Sequence, residues 1–565
     1  MAPNPIAAES KVSPLRFKNK FGLMTWLALF IAALFTLPIF NVIGSALITE
    51  SDIWNHLVDT VLTDYLINTL LLATGVAILV AIIGTGTAWL VTMCRFPGHK
   101  IFEWALILPL AVPAYVMAYT YTDFLQVSGP LQGMIRDIFD VQYREYWFPE
   151  IRSLSGAVIM LSLVLYPYVY MLSRAAFLEQ SICALEVSRT LGCGPWGSFF
   201  RVALPLARPT IIAGTSLALM ETLADFGTVS FFGVQTFTTG IMNAWTNMGD
   251  LPAARQLSTY LLIFILTVFI LEKVSRGNAR YHHSTNRYQT LPGYQLKGLS
   301  KFLAIIACIT PLFLGFVLPA ILLLDMSITL GDQQFGAKFV KLAFNSFTIS
   351  LITAVIAVMI AILLAYTNRL QSNILSKTAT RIASMGYAVP GTVVAIGTLF
   401  PLATLDNTVD AWMRENFDIS TGLLLTGSIT ALVFAYLVRF LAVSLNAVET
   451  GLGKIRPSME DASRTLGHGP FKTLKHVHVP IMSGSILTAG LVVFVDVMKE
   501  LPATLVMRPF NFDTLATQAY NLASDERLSE SSTASLTIVL VGILPLIVLT
   551  RAISKSRAGS STQEQ

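Results

Sequence analysis

Two stretches of the chain decide its reading. The first runs Glu186-Val187-Ser188-Arg189-Thr190-Leu191-Gly192 and, nine residues on, Val202-Ala203-Leu204-Pro205. The second, 275 residues further along, runs Asp461-Ala462-Ser463-Arg464-Thr465-Leu466-Gly467 and, again nine residues on, Val477-His478-Val479-Pro480. Both are polar, basic islands between long apolar runs. An island held at one place in each half of such a chain is a surface built to be gripped by a partner.

Around the islands the chain is membrane material. Of 565 residues, 54% are hydrophobic and 13% charged, with mean hydropathy +0.65. Soluble domains carry about 25% charged residues. Apolar runs repeatedly reach the roughly 20 residues a helix needs to cross a hydrocarbon core. The short alternating segments of a transmembrane barrel are absent. The expected fold is all-α and polytopic. Spans are expected near 22–48, 64–94, 101–125, 154–178, 210–233 and 256–275. A second set is expected near 302–325, 344–368, 382–404, 421–446, 483–507 and 534–553. The first run follows Lys11, Arg16, Lys18 and Lys20 and is too long for a signal-peptide core, so it reads as a retained span. Cys94, Cys183, Cys193 and Cys308 form no CxxC pair and read as isolated reduced thiols.

Positive charge sets the sidedness. One family of loops holds Arg95 and Lys100, Arg189 and Arg201, Arg276 and Arg287, Arg369 and Lys377, Lys454 and Lys472. The opposite loops are acidic or mixed, with Glu50, Asp52, Asp406 and Asp410. The positive-inside rule then makes both termini and both islands cytoplasmic. The net charge of +5 is a topology signal and not a nucleic-acid patch.

The repeat extends beyond the islands. Asn68-Thr69 answers Asn345-Ser346, and Ala111-Val112-Pro113 answers Ala388-Val389-Pro390. Glu221 and Asp225 answer Asp496 and Glu500. Six spans per half keep both halves in one orientation, with a pathway expected at the repeat interface. The expected organisation is a cytoplasmic segment 1–21, a first six-helix domain 22–275, a cytoplasmic linker 276–301, a second six-helix domain 302–553 and a tail 554–565. His282-His283 in the linker lacks an evident third metal ligand.

Each island is expected to form two short helices broken at glycine. Gly192 and Gly467 permit backbone angles closed to other residues. Pro195 and Pro470 suit the first turn of the second short helix. Trp196 and Phe471, at matching places, suit anchors in a partner's pocket. Amphipathic helices lying on the lipid surface are the alternative, but that alternative does not account for identical spacing in both halves.

Spans five and eleven each carry two carboxylates four residues apart, on one helix face: Glu221 with Asp225, and Asp496 with Glu500. An intramembrane Asp costs about 2.5–3.5 kcal/mol, so two acids cost roughly 5–7 kcal/mol. The nine Leu, Ile, Val and Phe of span five return only about 3–5 kcal/mol. The acidic stripe therefore faces the bundle or a wet pathway. Two roles stay open: a pathway lining that meets a cationic substrate, or a structural role. In the second, the acids cap a broken helix end, or Asp496 pairs with Lys499. Tyr115, Tyr119, Tyr121, Tyr166, Tyr168 and Tyr170 are oxygen donors, but packing explains them more simply. Pro113 and Pro390 are expected to kink their helices.

The island spacing resembles the E-A-A-x3-G-x9-I-x-L-P signature of permease subunits of ATP-binding-cassette (ABC) importers. The departures are Val187-Ser188 and Ser463 for alanines, Asp461 for glutamate, and Val202 and Val477 for isoleucine. The resemblance implies a type I, MetI-like permease fold and a coupling helix that docks in an ATPase cleft. It sets Glu186, Gly192, Pro195 and Trp196, and Asp461, Gly467, Pro470 and Phe471, at that contact. No Walker A phosphate loop occurs in the chain. It is therefore not expected to be an enzyme or to bind a cofactor itself; ATP and Mg2+ belong to two separate ATPase subunits.

The stretches Asp496-Val-Met-Lys-Glu-Leu-Pro-Ala-Thr-Leu, Arg508-Pro-Phe-Asn-Phe-Asp and Leu223-Ala-Asp-Phe-Gly-Thr-Val are similar to fused permeases of bacterial ferric-iron importers. That implies the bacterial inner membrane, Fe3+ as cargo and a periplasmic binding protein that delivers it. Thiamine and phosphonate permeases share the architecture. A different class, the proton-coupled secondary transporter, would use the intramembrane acids as a relay and need no ATPase.

Overall fold

The computed structural model describes residues 22–48, 51, 53–142, 145–179, 194–276, 293–329, 336–371 and 373–555. Glu186 and Gly192 of the first island, Cys183, Cys193, His282-His283 and both chain ends lie outside them.

The chain is helical almost throughout. The first half holds α1 (Leu23–Ile48), α2 (Leu62–Met93), α3 (Ala114–Leu125), α4 (Leu154–Glu179), α5 (Leu204–Ala224) and α6 (Leu251–Arg276). The second half holds α7 (Leu299–Thr329, with a π turn at Phe313–Val317), α8 (Ala337–Leu370), α9 (Gly391–Phe417), α10 (Ile429–Gly453), α11 (Ser483–Met498) and α12 (Leu528–Lys555). Among the described residues ten helical segments are long and apolar enough to cross a membrane, and twelve do if each of two bent pairs is one span. Helices α2 and α8 are 32 and 34 residues long. At 1.5 Å per residue they span about 50 Å, more than a hydrocarbon core, and so run on past it or tilt.

The expected proline kinks are full breaks. Leu108–Ala111 and Met385–Ala388 are 3-10 turns, Val112 and Val389 are extended, and Pro113 and Pro390 precede the next helix. Proline excludes the helical conformation from the residue before it, so each valine ends one helix and its proline starts another. At the first break the segments meet at 90°. A second repeated device lies after each island: π turns at Phe199–Ala203 and Leu474–His478. Pro205 and Pro480 follow by the same interval and lack the N–H that regular α-helical pairing requires. In the second half a 77° bend then separates Pro470–Ile481 from α11, whereas Trp196–Ala224 continues unbroken.

The repeated pair at the start of α2 and α8 has a structural reason. Asn68 donates to the Gln235 carbonyl and Asn345 to the Asp513 carbonyl, each at 3.0 Å. Thr69 accepts from Phe237 N at 3.4 Å and Ser346 from Leu515 N at 2.8 Å. In both halves these side chains tie the long helix to the start of a short capped helix, Phe237–Thr246 or Leu515–Ser524.

The halves interlace. One core packs α2–α5 against residues of α7 and α12; the other packs α8–α11 against α1 and α6. Thr25 of α1 donates to Gln371 at 2.6 Å, and Phe35 meets Phe434 edge-on at 5.9 Å. Reciprocally, Tyr121 donates to the Leu314 carbonyl at 2.6 Å. Glycine permits this closeness: a Cβ on Gly397 would strike the Pro38 carbonyl, and one on Gly315 would lie 2.9 Å from the Leu163 carbonyl. Each six-helix unit of the sequence therefore lends its first and last helices to the other.

Candidate functional site: an acidic cavity and its coupling islands

The two acidic spans converge where they break. Helix α5 ends at Ala224, Asp225 is extended, and a new helix covers Gly227–Phe231. Helix α11 ends at Met498, and Pro502–Met507 follows. Asp225 accepts from Thr228 N and Thr228 Oγ1 at 3.0 Å and Val229 N at 3.2 Å. Glu500 accepts from Ala503 N and Thr504 N at 3.2 Å and Thr504 Oγ1 at 3.1 Å. Both carboxylates thus cap the helix restarting after the break, where its free N–H groups and positive dipole end favour an anion.

All four acids line a cavity of about 110 Å³ between the halves. Glu221 accepts from Tyr387 OH at 3.0 Å, and Asp496 pairs with Lys499 at 2.9 Å. Arg439 of α10 lies 2.8 Å from Glu500 and 3.7 Å from Glu221. Val112, Pro113, Tyr115 and Tyr168 complete the wall beside these charges. A Cβ on Gly391 would strike Glu500 Oε1 and lie 2.6 Å from an Arg439 nitrogen, so only glycine leaves room for that pair. Four carboxylates against two cations leave the wall formally at −2. Arg439, Lys499 and Tyr387 are the participants that sequence reading passed over, except for Lys499 as a partner of Asp496. Of the six tyrosines, Tyr119, Tyr121, Tyr166 and Tyr170 are core residues, and Tyr115 and Tyr168 line the cavity. Among the described residues no group of three or more His, Cys, Asp or Glu is placed to hold a metal ion.

The second island forms two short helices. Pro457–Thr465 opens on Pro457 and closes at Gly467, whose φ is +78°. Gly467 N bonds the Arg464 carbonyl at 2.9 Å and His468 N the Ser463 carbonyl at 3.1 Å. This is a Schellman closure, with glycine at its left-handed position. Pro470–Thr473 then starts on Pro470. The tip carries solvent-facing apolar groups: Leu466 is 76% and Phe471 73% exposed, and the Asp461 side chain is 68% exposed. Of the first island, Pro195 opens a short helix, and Trp196 behind it is 58% exposed.

The residue that ties this island to the membrane helices is Glu460, beside the Asp461 that the motif singles out. Its side chain is 13% exposed and contacts Arg369 at the end of α8. It also lies 3.0 Å from His478 Nε2, and Arg369 reaches the Ile455 carbonyl at 2.6 Å and the Leu452 carbonyl as well. Tyr366 of α8 donates to the Pro470 carbonyl at 2.7 Å. Both short helices are thus fastened to one end of α8.

At the end of the bundle opposite the islands, Arg152 grips Glu526 through two bonds of 2.9 and 3.0 Å, joining first half to second. The hydrogen bond from Arg152 holds the Glu526 carboxyl below the ordinary glutamate range. A lowered carboxyl pKa stabilises the fold above the ordinary value, and that contribution is lost as pH falls through the lowered one. Glu526 is largely exposed, so the contribution belongs to the roughly 0–1 kcal/mol class. Arg152→Ala is expected to lower stability at pH 7 by no more than that small amount and to converge with the wild type as pH falls to 3, in melting curves followed between pH 7 and 3.

Comparison with known proteins agrees with this architecture. Residues 81–278 and 357–558 each match the family model of binding-protein-dependent transport system inner membrane components. The Fe(3+)-transport system permease protein FbpB 2 of Haemophilus influenzae is 26% identical over 86% of this chain and 90% of its own length. The ferric transport system permease protein FbpB of Actinobacillus pleuropneumoniae is 23% identical over 85% of this chain and 70% of its own. The molybdenum transport system permease protein ModB of Escherichia coli is 32% identical, over 26% of this chain and 60% of its own. With interlaced halves and a duplicated family match, the chain belongs to the inner membrane components of binding-protein-dependent transport systems, as a fused ABC importer permease, a non-catalytic membrane subunit.

Proposed function

We propose that this permease carries ferric iron, delivered by a periplasmic binding protein, through the cavity between its halves. The observation that carries this reading is the formal −2 of a wall built at two broken helices. A negative, poorly solvated wall favours a cation and repels an oxyanion. Similarity over most of the chain to permeases named for ferric iron supports the same cargo. In this reading one ATPase subunit docks at each island, on Leu466 and Phe471 in the second half and on Trp196 in the first. Glu186, Gly192 and Pro195 complete the first contact, and Asp461, Gly467 and Pro470 the second. ATP binding draws the ATPases together, the islands move with them, and the attached helices turn the cavity from one side of the membrane to the other. Both termini are cytoplasmic. Proton-coupled secondary transport is disfavoured, because the family membership calls for a binding protein.

Uptake of radiolabelled Fe3+ into vesicles, with molybdate, sulfate, thiamine and a phosphonate as competitors, tests the cargo. Iron uptake that resists all four supports the reading; labelled oxyanion uptake in its place refutes it. Glu221→Gln is expected to lower iron uptake about tenfold, the effect of 1.4 kcal/mol, with the complex assembled. Asp225→Asn keeps a capping oxygen and is expected to lower uptake with little loss of stability. Unchanged uptake in both would remove these carboxylates from the pathway.

A further inference from the structure

Both cations of the cavity come from the second half, and they are engaged differently. Lys499 pairs within its own segment, with Asp496 three residues away. Arg439 reaches across the halves. Its contact with Glu500 is tight at 2.8 Å, and Glu500 is pinned by the N–H groups of Ala503 and Thr504. Arg439 and Glu500 therefore move together. The contact with Glu221 is loose at 3.7 Å, and the Glu221 side chain is 26% exposed against 9% for Arg439. The Arg439 Nε is buried with no acceptor among the described residues, and the Phe440 ring lies 5.3 Å from its guanidinium carbon. The guanidinium is thus incompletely satisfied, with its Nη2 at 3.7 Å from Glu221, and has an aromatic face to rest against.

We propose that Arg439 is a tethered counter-cation that latches the two halves across the pathway, and that cationic cargo opens the latch by taking its place at Glu221. The inference rests on the cation reading above. A trivalent ion outcompetes a guanidinium for a partly exposed carboxylate at short range, because the attraction scales with charge. An anion has no such purchase on Glu221. Charge selection and release of the halves then occur at one contact. Arg439 is a positioning residue here: it sets when the halves part.

The test uses the full chain reconstituted with its ATPase subunits and binding protein in liposomes, and reads ATP hydrolysis with no cargo present. Glu221→Gln breaks the loose contact. The double variant Arg439→Met with Glu500→Gln removes the latch without stranding a buried carboxylate. Both are expected to raise cargo-free hydrolysis about tenfold, a usual size for coupling between sites. Arg439→Lys, which keeps the charge, is expected to recover part of the coupling that Arg439→Gln loses. Cargo-free hydrolysis at the wild-type level in assembled Glu221→Gln complexes overturns the proposal; if the double variant does not assemble, Glu221→Gln decides alone. A wild-type complex that imports an oxyanion defeats the iron reading instead. The two failures are distinguishable, because the hydrolysis assay contains no cargo.

Discussion

Replacing Glu460 with alanine is expected to cost about 3 kcal/mol and to abolish cargo-stimulated ATP hydrolysis. Removing one member of a buried ion pair typically costs 3–5 kcal/mol, because the remaining charge is left without compensation. The low end applies, since the pair is partly exposed, at 20% for Arg369 and 13% for Glu460, and Arg369 keeps the carbonyls of Leu452 and Ile455. His478, wholly buried, loses its carboxylate at the same time. The short helix Pro457–Thr465 then lacks its charged fastening to α8, and motion of a docked ATPase no longer reaches the bundle. Thermal unfolding in detergent reads the first effect and hydrolysis by the assembled complex reads the second. Asp461→Ala is the informative partner. That side chain is mostly exposed, so stability should change by no more than about 0.5 kcal/mol, while ATPase binding weakens. If Glu460→Ala and Asp461→Ala behaved alike in both assays, the division between an anchoring and a docking carboxylate would be wrong.

Gly467→Val should disable the second island through its backbone. A Cβ at this position meets nothing within 4 Å, so the cost arises from the backbone angle and not from a clash of the Cβ. At φ +78° a non-glycine L-residue costs roughly 1–2 kcal/mol, and a β-branched one is a true outlier there. The closure through Gly467 N and His468 N opens, and Leu466 and Phe471 no longer share one tip. ATPase co-purification is expected to fall about tenfold or more. Gly467→Asn, which tolerates the left-handed region, is expected to keep most of it. Equal losses in both variants would mean that glycine is required for close approach by the ATPase and not for its backbone angle.

Much of this molecule is legible before folding is considered. The all-helical membrane character, the duplication and the two islands follow from local patterns, and so does the opening of Pro457–Thr465 and Pro470–Thr473 on prolines. The misreadings are equally specific. Span five was expected to run through residue 233, yet it ends at Ala224, because Asp225 satisfies the N–H groups of a new helix better than it could occupy an old one. Glu460 went unnoticed because the island is polar on every side. Adjacent helical residues point about 100° apart, and nothing local tells which of Glu460 and Asp461 faces inward. The structural role weighed for the acids is visible in Asp225 and Glu500, which cap helices, and in Asp496, which pairs with Lys499; Glu221 borders the cavity, where it accepts from Tyr387 and lies 3.7 Å from Arg439.

By itself the sequence determined that this chain crosses the membrane many times, that it is one plan used twice, and that each half carries a polar island at the same place. Those properties reside in composition, in period and in spacing, each of which acts over a few turns of helix. Only the tertiary structure decided that α1 and α7 cross to the opposite half, and that Arg439 stands between Glu221 and Glu500. A buried charge takes whichever counter-charge packing brings within reach, and here that partner lies on another helix, up to 218 positions away in the chain.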